Sequence, residues 1–490
     1  MDRSAFIRAL GLLGVLGLMC SLPSLAGAAL TASAVPVEVP EIFGFPQAGM
    51  VALPPMLELL GAKSVTDGKT GAVTVSRAGK TFTFTLTKTA ATANGKAVKL
   101  PLAPDKIGDV IYVPVRPLVE TLGGTLVLDA ATTLAKIILP GLAAPLILPF
   151  AKMTTQDPNG EQVPMQMTDF RDFQDHLFVM NIDGSGARRL TYTALANHLP
   201  SLSADGGKWV IVRSPLFMPF GDIYTREAVG AQSTRRLHSD LTDGTELFMD
   251  GILSPDGTTI YYTGIKDAGG ENPDICIYRM PFAGGEAVKL VEGLSPAISA
   301  DGKRLAYMGP DAEKMRALIF LAEADGANPR GLGEGQNPKI SPDGKTLFFT
   351  RRYGEAEDAP EILTTCLIAD NGDTRICEAP AEERAVSELQ PAFTPDSKQI
   401  LFVREGKGIF TMPVDRSQGK QLTDGANDAN PVPSPEGAQI YFLRTGNLHR
   451  MNPDGTGITE ITRDMTIGSF LLSPDGKLVY YLVQPEAMFG

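Results

Sequence analysis

Ser341-Pro342-Asp343-Gly344-Lys345-Thr346-Leu347-Phe348-Phe349 is a tight turn written in Pro, Asp and Gly, followed at once by an apolar run. Pro pre-sets the backbone for the turn, Asp bonds nearby backbone, and Gly accepts left-handed geometry. The pattern recurs seven times, starting at Ser203, Ser254, Ser299, Ser341, Thr394, Ser434 and Ser473. The gaps of 51, 45, 42, 53, 40 and 39 residues average 45. Repeats of that length, holding only strand and turn signals, are the mark of a β-propeller.

Counted from the first Ser or Thr, positions +6 to +8 are apolar in every copy, as in Ile260-Tyr261-Tyr262 and Ile440-Tyr441-Phe442. That run suits a strand buried on both faces. Position −3 is Pro200, Pro296, Pro338, Pro391 or Pro431 in five copies, which fits the first residue of a strand, where no ladder donor is lost. A second hairpin follows in each unit, as in Leu448-His449-Arg450-Met451-Asn452-Pro453-Asp454-Gly455. Four strands per unit make a blade. The spare hairpin at about 176–191 is expected to complete the last blade, giving seven blades closed by residues from both ends of the propeller and leaving no free sheet edge. A six-blade ring would leave one complete copy of the pattern without a role.

"LFVMNIDGSGARRLT" at 177–191 and "SPDGKTLFFTRR" at 341–352 resemble the repeat of the TolB-type propeller family, over roughly 170–490. The resemblance implies the fold and says little about activity, because the motif is turn chemistry.

The chain opens with Arg3, Arg8 and an apolar run from Ala9 to Cys20, then Ala26-Gly27-Ala28. This reads as a secretory signal peptide over 1–28, with Ala34 as a later cleavage alternative. Cys20 raises a lipoprotein reading, which Gly17-Leu18-Met19 fits poorly because a small residue is expected just before the Cys. No later stretch reaches membrane-spanning length, so the mature chain is expected to carry no transmembrane segment. The net charge of −12 argues against a nucleic-acid partner, which needs clustered Lys and Arg.

After a linker at 29–45, residues 46–140 contain a repeat of their own: "MVALPPMLELLGAKSVTDGKTGAVTV" (50–75) matches "YVPVRPLVETLGGTLVLDAATTLAKI" (112–137) at an offset of 62. Each copy predicts a short helix, 55–60 and 117–122, opened by Pro and closed by Gly61 or Gly123. Thr81-Phe82-Thr83-Phe84-Thr85-Leu86-Thr87 alternates like a half-exposed strand, and Asn94-Gly95 reads as a hairpin turn. "YVPVRPLVETLGG" resembles the copper amine oxidase N-terminal stalk domain, a module found on many exported bacterial proteins; the first copy has Pro54 where the second has Arg116. Amine oxidation itself is excluded, because no Tyr is followed by Asp or Glu as the quinone precursor requires. Copper would need grouped histidines, whereas His176, His198, His238 and His449 are scattered. Residues 141–169 read as a linker, leaving 170–490 for the propeller.

Position −4 reads Leu199, Asp250, Ser295, Asn337, Gln390, Asn430 and Ser469, polar in six of seven copies, where the chain enters the innermost strand. Two readings compete. These groups bond neighbouring loop backbones, or with His198 they ring the channel mouth and hold a ligand, a metal or a partner's peptide. If Asn371-Gly372 is a two-residue turn, Cys366 faces Cys377 across adjacent strands, within disulfide reach in an exported protein. The alternative is two buried thiols in another register. Cys276 reads as a small buried strand residue. Asp-Gly pairs at 183–184, 325–326 and 454–455 lack calcium-loop spacing and read as turns. No GxSxG elbow and no HExxH occurs. A seven-bladed relative, oligogalacturonate lyase, works inside its propeller with a metal held largely by histidines, a pattern that four scattered His match poorly.

The expectation is a mainly β protein, a small α+β stalk domain followed by a seven-bladed propeller, exported to the periplasm or cell surface. It would act as a non-catalytic scaffold for an envelope protein or cell-wall polymer, with no cofactor and no metal. The alternative is a polysaccharide lyase or hydrolase acting at the channel mouth.

Overall fold

The computed structural model describes residues 42–43, 49–107, 110–129, 134–142, 145–151, 154–156, 162–164, 176–191, 196–214, 221–227, 235–236, 247–267, 273–310, 317–354, 359–369 and 372–483. The expected leader at 1–28, with Cys20, lies outside these residues, as does His238.

In the first domain, helices α1 (Leu53–Leu60) and α2 (Val115–Thr121) pack with two sheets. One is a five-strand meander: Lys63–Thr66, Ala72–Arg77, Lys80–Thr85, Ala90–Ala93 and Lys96–Lys99. The other is seven-stranded, and Leu146–Ala151 and Ile42–Phe43 sit side by side within it, paired in parallel. The sheet therefore takes in segments that the sequence reading placed in linkers at 29–45 and 141–169. Within the segment read as a linker, Pro149 lies in a strand opposite Leu134. The 62-residue repeat becomes geometry: Met50 pairs with Pro114, Val51 with Val113 and Ala52 with Tyr112, so the two copies meet about a pseudo-two-fold at Val51 and Val113. α1 carries Pro in its first turn and ends on Gly61 at φ 60. Asn94 and Gly95, at φ 49 and 80, form the expected two-residue hairpin turn, with Ala93 opposite Lys96. Phe82 and Phe84 enter a core with Met56, Leu60, Leu118 and Ile137.

Residues 176–483 form seven antiparallel sheets among the described residues. Sheets 1 to 6 occupy 196–236, 247–292, 294–334, 336–377, 388–421 and 428–460. Sheet 7 joins Ile467–Leu472 and Leu478–Val483 to His176–Asn181 and Arg188–Arg189, with His176 opposite Val483 and Asn181 opposite Leu478. Second strands are buried on both faces: Ile260–Tyr262, Leu347–Phe349 and Ile440–Phe442 are nowhere more than 5% exposed. Apolar clusters join each sheet to the next, for example Val210 and Ile223 with Phe248 and Tyr262, or Phe348 and Leu363 with Ile400 and Phe402. Others link sheets 2 to 3, 3 to 4, 5 to 6 and 6 to 7. Sheet 7 packs on sheet 1 through Leu177, Tyr480, Trp209 and Ile211, the Trp209 and Tyr480 rings meeting edge to face at 4.9 Å.

The repeated turn owes its identity to one side-chain contact. In six copies the first hydroxyl donates to the Asp Oδ1 at 2.5–2.7 Å. In all seven the same oxygen accepts the backbone N–H five residues on, at 2.9–3.1 Å. The fourth residue sits at φ 60–73, which favours Gly; Ser397 occupies it in the fifth copy. The hydroxyl from Ser203, then the Gly207 N–H, holds the Asp205 carboxyl below its usual range, and Ser254 acts likewise on Asp256.

Two expectations are corrected. Pro296, Pro338, Pro391 and Pro431 do not begin strands. They lie inside innermost strands at β-bulges, where the ladder skips and no donor is required. Cys366 and Cys377 do not form a disulfide. The turn runs from Ala369 to Asp373, with Gly372 at φ 84, and is one residue longer than the two-residue turn expected. Cys366 therefore pairs with Ile376 and Cys377 with Thr365, so the free thiols point to opposite faces. Burial pushes the Cys366 thiol up to about 11.

Ser341→Ala removes a fully buried hydroxyl that donates to Asp343 and accepts from Thr346 N–H. It should cost about 1–3 kcal/mol. Ser434→Ala, where Glu436 replaces the Asp and only the Gln439 N–H bond is lost, should cost less. Urea unfolding of both variants checks the order.

Candidate functional site

The innermost strands of all seven sheets border one cavity of about 120 Å³. Its wall is apolar, with Leu253, Ile298, Ile340, Phe393, Val432 and Leu472 among its residues and prolines such as Pro255, Pro342 and Pro474 at the turn end. Lys339 is the one charged lining residue. None of the seven −4 residues lines this cavity. The polar ring expected at the channel mouth therefore lies at a different level of the innermost strands.

The −4 residues sit at the bulges. Ser295, Asn337, Gln390 and Asn430 take φ 50–54, left-handed values at non-glycine positions, each directly before a proline. All seven of His198, Asp250, Ser295, Asn337, Gln390, Asn430 and Ser469 are half-buried. Several link one sheet to the next. Asn430 N–H donates to Gln390 Oε1 at 2.7 Å, and Asn430 Nδ2 donates to the Gly468 carbonyl at 3.2 Å. Ser295 N–H donates to Thr263 Oγ1 at 3.2 Å, and Asn337 N–H meets Met308 Sδ at 3.5 Å. Gln390 and Asn430 thus place their side chains on neighbouring backbone, whereas Ser295 and Asn337 direct their own N–H groups to neighbouring side chains.

His198 of sheet 1 and Asp250 of sheet 2 are brought within electrostatic reach of one another. Burial pushes the Asp250 carboxyl above its usual range, opposed by the Thr263 hydroxyl donating at 3.1 Å, by Lys339, by His198 and by the Ser295 N–H. Burial pushes His198 below 6.5, opposed by Asp250. A carboxyl held toward its neutral form beside a neutral imidazole has the makings of an acid–base pair. Among the described residues no three His, Cys, Asp or Glu side chains gather as a metal site.

Sequence reasoning missed a second constellation. Glu388, fully buried, accepts from Arg404 Nη2 at 3.0 Å, Arg416 Nη2 at 3.0 Å and Leu363 N–H at 3.2 Å, tying sheet 4 to sheet 5. Asp428 takes Arg444 in a fork at 2.6 and 2.8 Å. Both pairs stand at repeat positions −6 and +10, opposite one another across the ladder. The alignment could have found them had it been carried two residues further each way.

Residues 43–137 match the family described as the copper amine oxidase N-terminal domain. No curated protein matches the chain. Among solved structures the chain is similar to a putative TolB from Agrobacterium tumefaciens, at 17% identity over 64% of this chain and 99% of that one, with a TM-score of 0.39. It is also similar to oligogalacturonate lyase from Vibrio parahaemolyticus (10% identity, 68% and 97% covered, TM-score 0.41). A third is the β-propeller domain of the Trilobed protease from Pyrococcus furiosus (16%, 49% and 78%, 0.38). All three are propeller or TolB-like proteins.

The His198 shift carries a sign. An imidazole whose folded pKa lies below its unfolded value of 6.5 supports the fold fully above pH 6.5, and that support is lost as pH falls through 6.5 toward the folded value. Asp250, shifted upward, works in the opposite sense as acid is added. His198→Asn should therefore flatten the fall in melting temperature as the pH drops below 6.5, read by thermal denaturation against the parent chain.

Proposed function

We propose that the seven sheets are blades of a closed propeller, and that the protein is an exported, non-catalytic binding scaffold whose partner is a protein segment seated at the propeller axis. Ring closure is supported by the apolar clusters that run from each sheet to the next and from sheet 7 to sheet 1. Export rests on the leader reading of residues 1–28. The stalk domain would hold the propeller near the cell wall.

One observation carries the choice of partner. The axial cavity presents Pro, Leu, Ile, Val and Phe from every blade, with Lys339 as its charge. Apolar side chains gain by leaving water there, whereas a sugar would lose hydrogen bonds that this wall does not return. The second reading, a lyase or hydrolase acting on a polysaccharide, is favoured by the His198–Asp250 pair alone.

Peptide-library selection on the full chain should return apolar binders. Ala392→Trp, which places a ring in the cavity, should abolish their binding with the melting temperature preserved. The opposing experiment incubates the chain with uronate polymers and follows unsaturated chain ends by ultraviolet absorbance. Turnover that disappears in His198→Ala would replace the scaffold reading with the enzyme reading.

A further inference from the structure

The outward side of the five-strand meander is chemically unlike the rest of the chain. Residues 63–99 hold seven basic side chains against one carboxylate, Asp67, in a protein of net charge −12. Two of the seven lie against the fold: Arg77 donates to the carbonyls of Leu60 and Pro140, and the Lys80 side chain packs over Gly123. Lys63, Lys69, Lys88, Lys96 and Lys99 are exposed.

Register decides what shares their surface. Val73, Val75, Phe82 and Phe84 turn into the core, so Thr74, Thr81, Thr83, Thr85 and Thr92 turn out. The ladder aligns Val65, Thr74, Thr83, Thr92 and Ala97 in one row across all five strands. Thr74 and Thr83 hydroxyls bond each other at 3.0 Å. The next row runs Lys63, Ser76 and Thr81, while Lys99 stands opposite Ala90 at the far side. The result is a flat face of small hydroxyl side chains, about 4.8 Å apart from strand to strand, with a lysine at each edge.

We infer that this face binds an anionic polysaccharide, a linear glycan bearing carboxylates, laid across the strands. Threonine hydroxyls both donate and accept, as sugar hydroxyls do, and their methyl groups can meet the apolar faces of sugar rings. Lys63 and Lys99 pair with carboxylates along the polymer. The acidic remainder of the chain repels a polyanion and so directs it to this one face. A lipid surface would need large apolar side chains to insert, and Val65 is the largest that the central row presents. Duplex DNA is read by elements that enter its grooves, which a flat sheet does not do. This assignment is independent of what the propeller holds.

Alginate is the probe, with dextran as the neutral polymer and phosphatidylglycerol vesicles and duplex DNA as other polyanions, all titrated into the full chain at one salt concentration. Alginate should bind, dextran should not, and vesicles and DNA should bind at least about tenfold more weakly. The double variant Lys63→Glu, Lys99→Glu should lose about tenfold or more for alginate, while Lys398→Glu on the propeller should change it less than about twofold. Thr83→Leu, which alters no charge, should weaken alginate severalfold and leave the slope of log affinity against log salt unchanged. Absence of alginate binding, equal binding of vesicles or DNA, equal loss in Lys398→Glu, or indifference to Thr83→Leu would each overturn the assignment. Unchanged melting temperatures separate these outcomes from misfolding.

Discussion

A hydroxyl donating to a carboxylate two residues on, while accepting from a backbone N–H five residues on, sets the start of nearly every second strand in the propeller region. The contact is local, so each copy makes it without help from its neighbours. It fixes where the buried run begins, and hence which apolar side chains face the previous sheet and which face the next. Slipping that start by one residue would invert both faces at once. The Ser, Asp and Gly are thus retained in copy after copy while the residues around them drift.

The same locality explains how much could be read beforehand. Turn chemistry and apolar triplets depend on residues adjacent in sequence, so the sheets, the hairpin at Asn94–Gly95 and the two stalk helices were legible. The bulges were not. Whether Ser295 or Asn430 turns left-handed depends on a neighbouring sheet supplying an acceptor for its N–H, Thr263 Oγ1 in one case and Gln390 Oε1 in the other. The Cys366–Cys377 expectation failed on a single extra turn residue, because side-chain direction alternates with every position. For the candidate site, the proximity of His198 and Asp250 followed from their places in the repeat. The retreat of the polar ring from the apolar cavity did not, since depth along an axis leaves no periodic trace.

Glu388 shows the other side of this economy. Two guanidinium groups and a backbone N–H satisfy a carboxylate buried between sheets. Removing Glu388 would leave two guanidinium groups facing each other without their carboxylate, the Arg416 side chain almost wholly buried, at a cost of about 3–5 kcal/mol. Sheets 3 and 4 place Gly293 and Gly335 at the equivalent position, where a Cβ would lie 2.3 Å from Met308 O and from Phe349 Cδ2 respectively. One site in the repeat is thus solved either by an ion pair or by the absence of a side chain. The packing of the sheets there is specific to each pair of neighbours.

Sheet 7 has a mechanical meaning. Its third strand, His176–Asn181, lies between Leu478–Val483 and Arg188–Arg189, and it is the first propeller strand reached along the chain from the stalk. Were the stalk held and the propeller loaded, tension would enter through His176 and run along the strand, across the direction of its hydrogen bonds. Six ladder positions would then carry the load together in shear, where peeling from an edge would break them one by one. A strand clamped on both sides at the point of entry would keep the sheets closed under such a load.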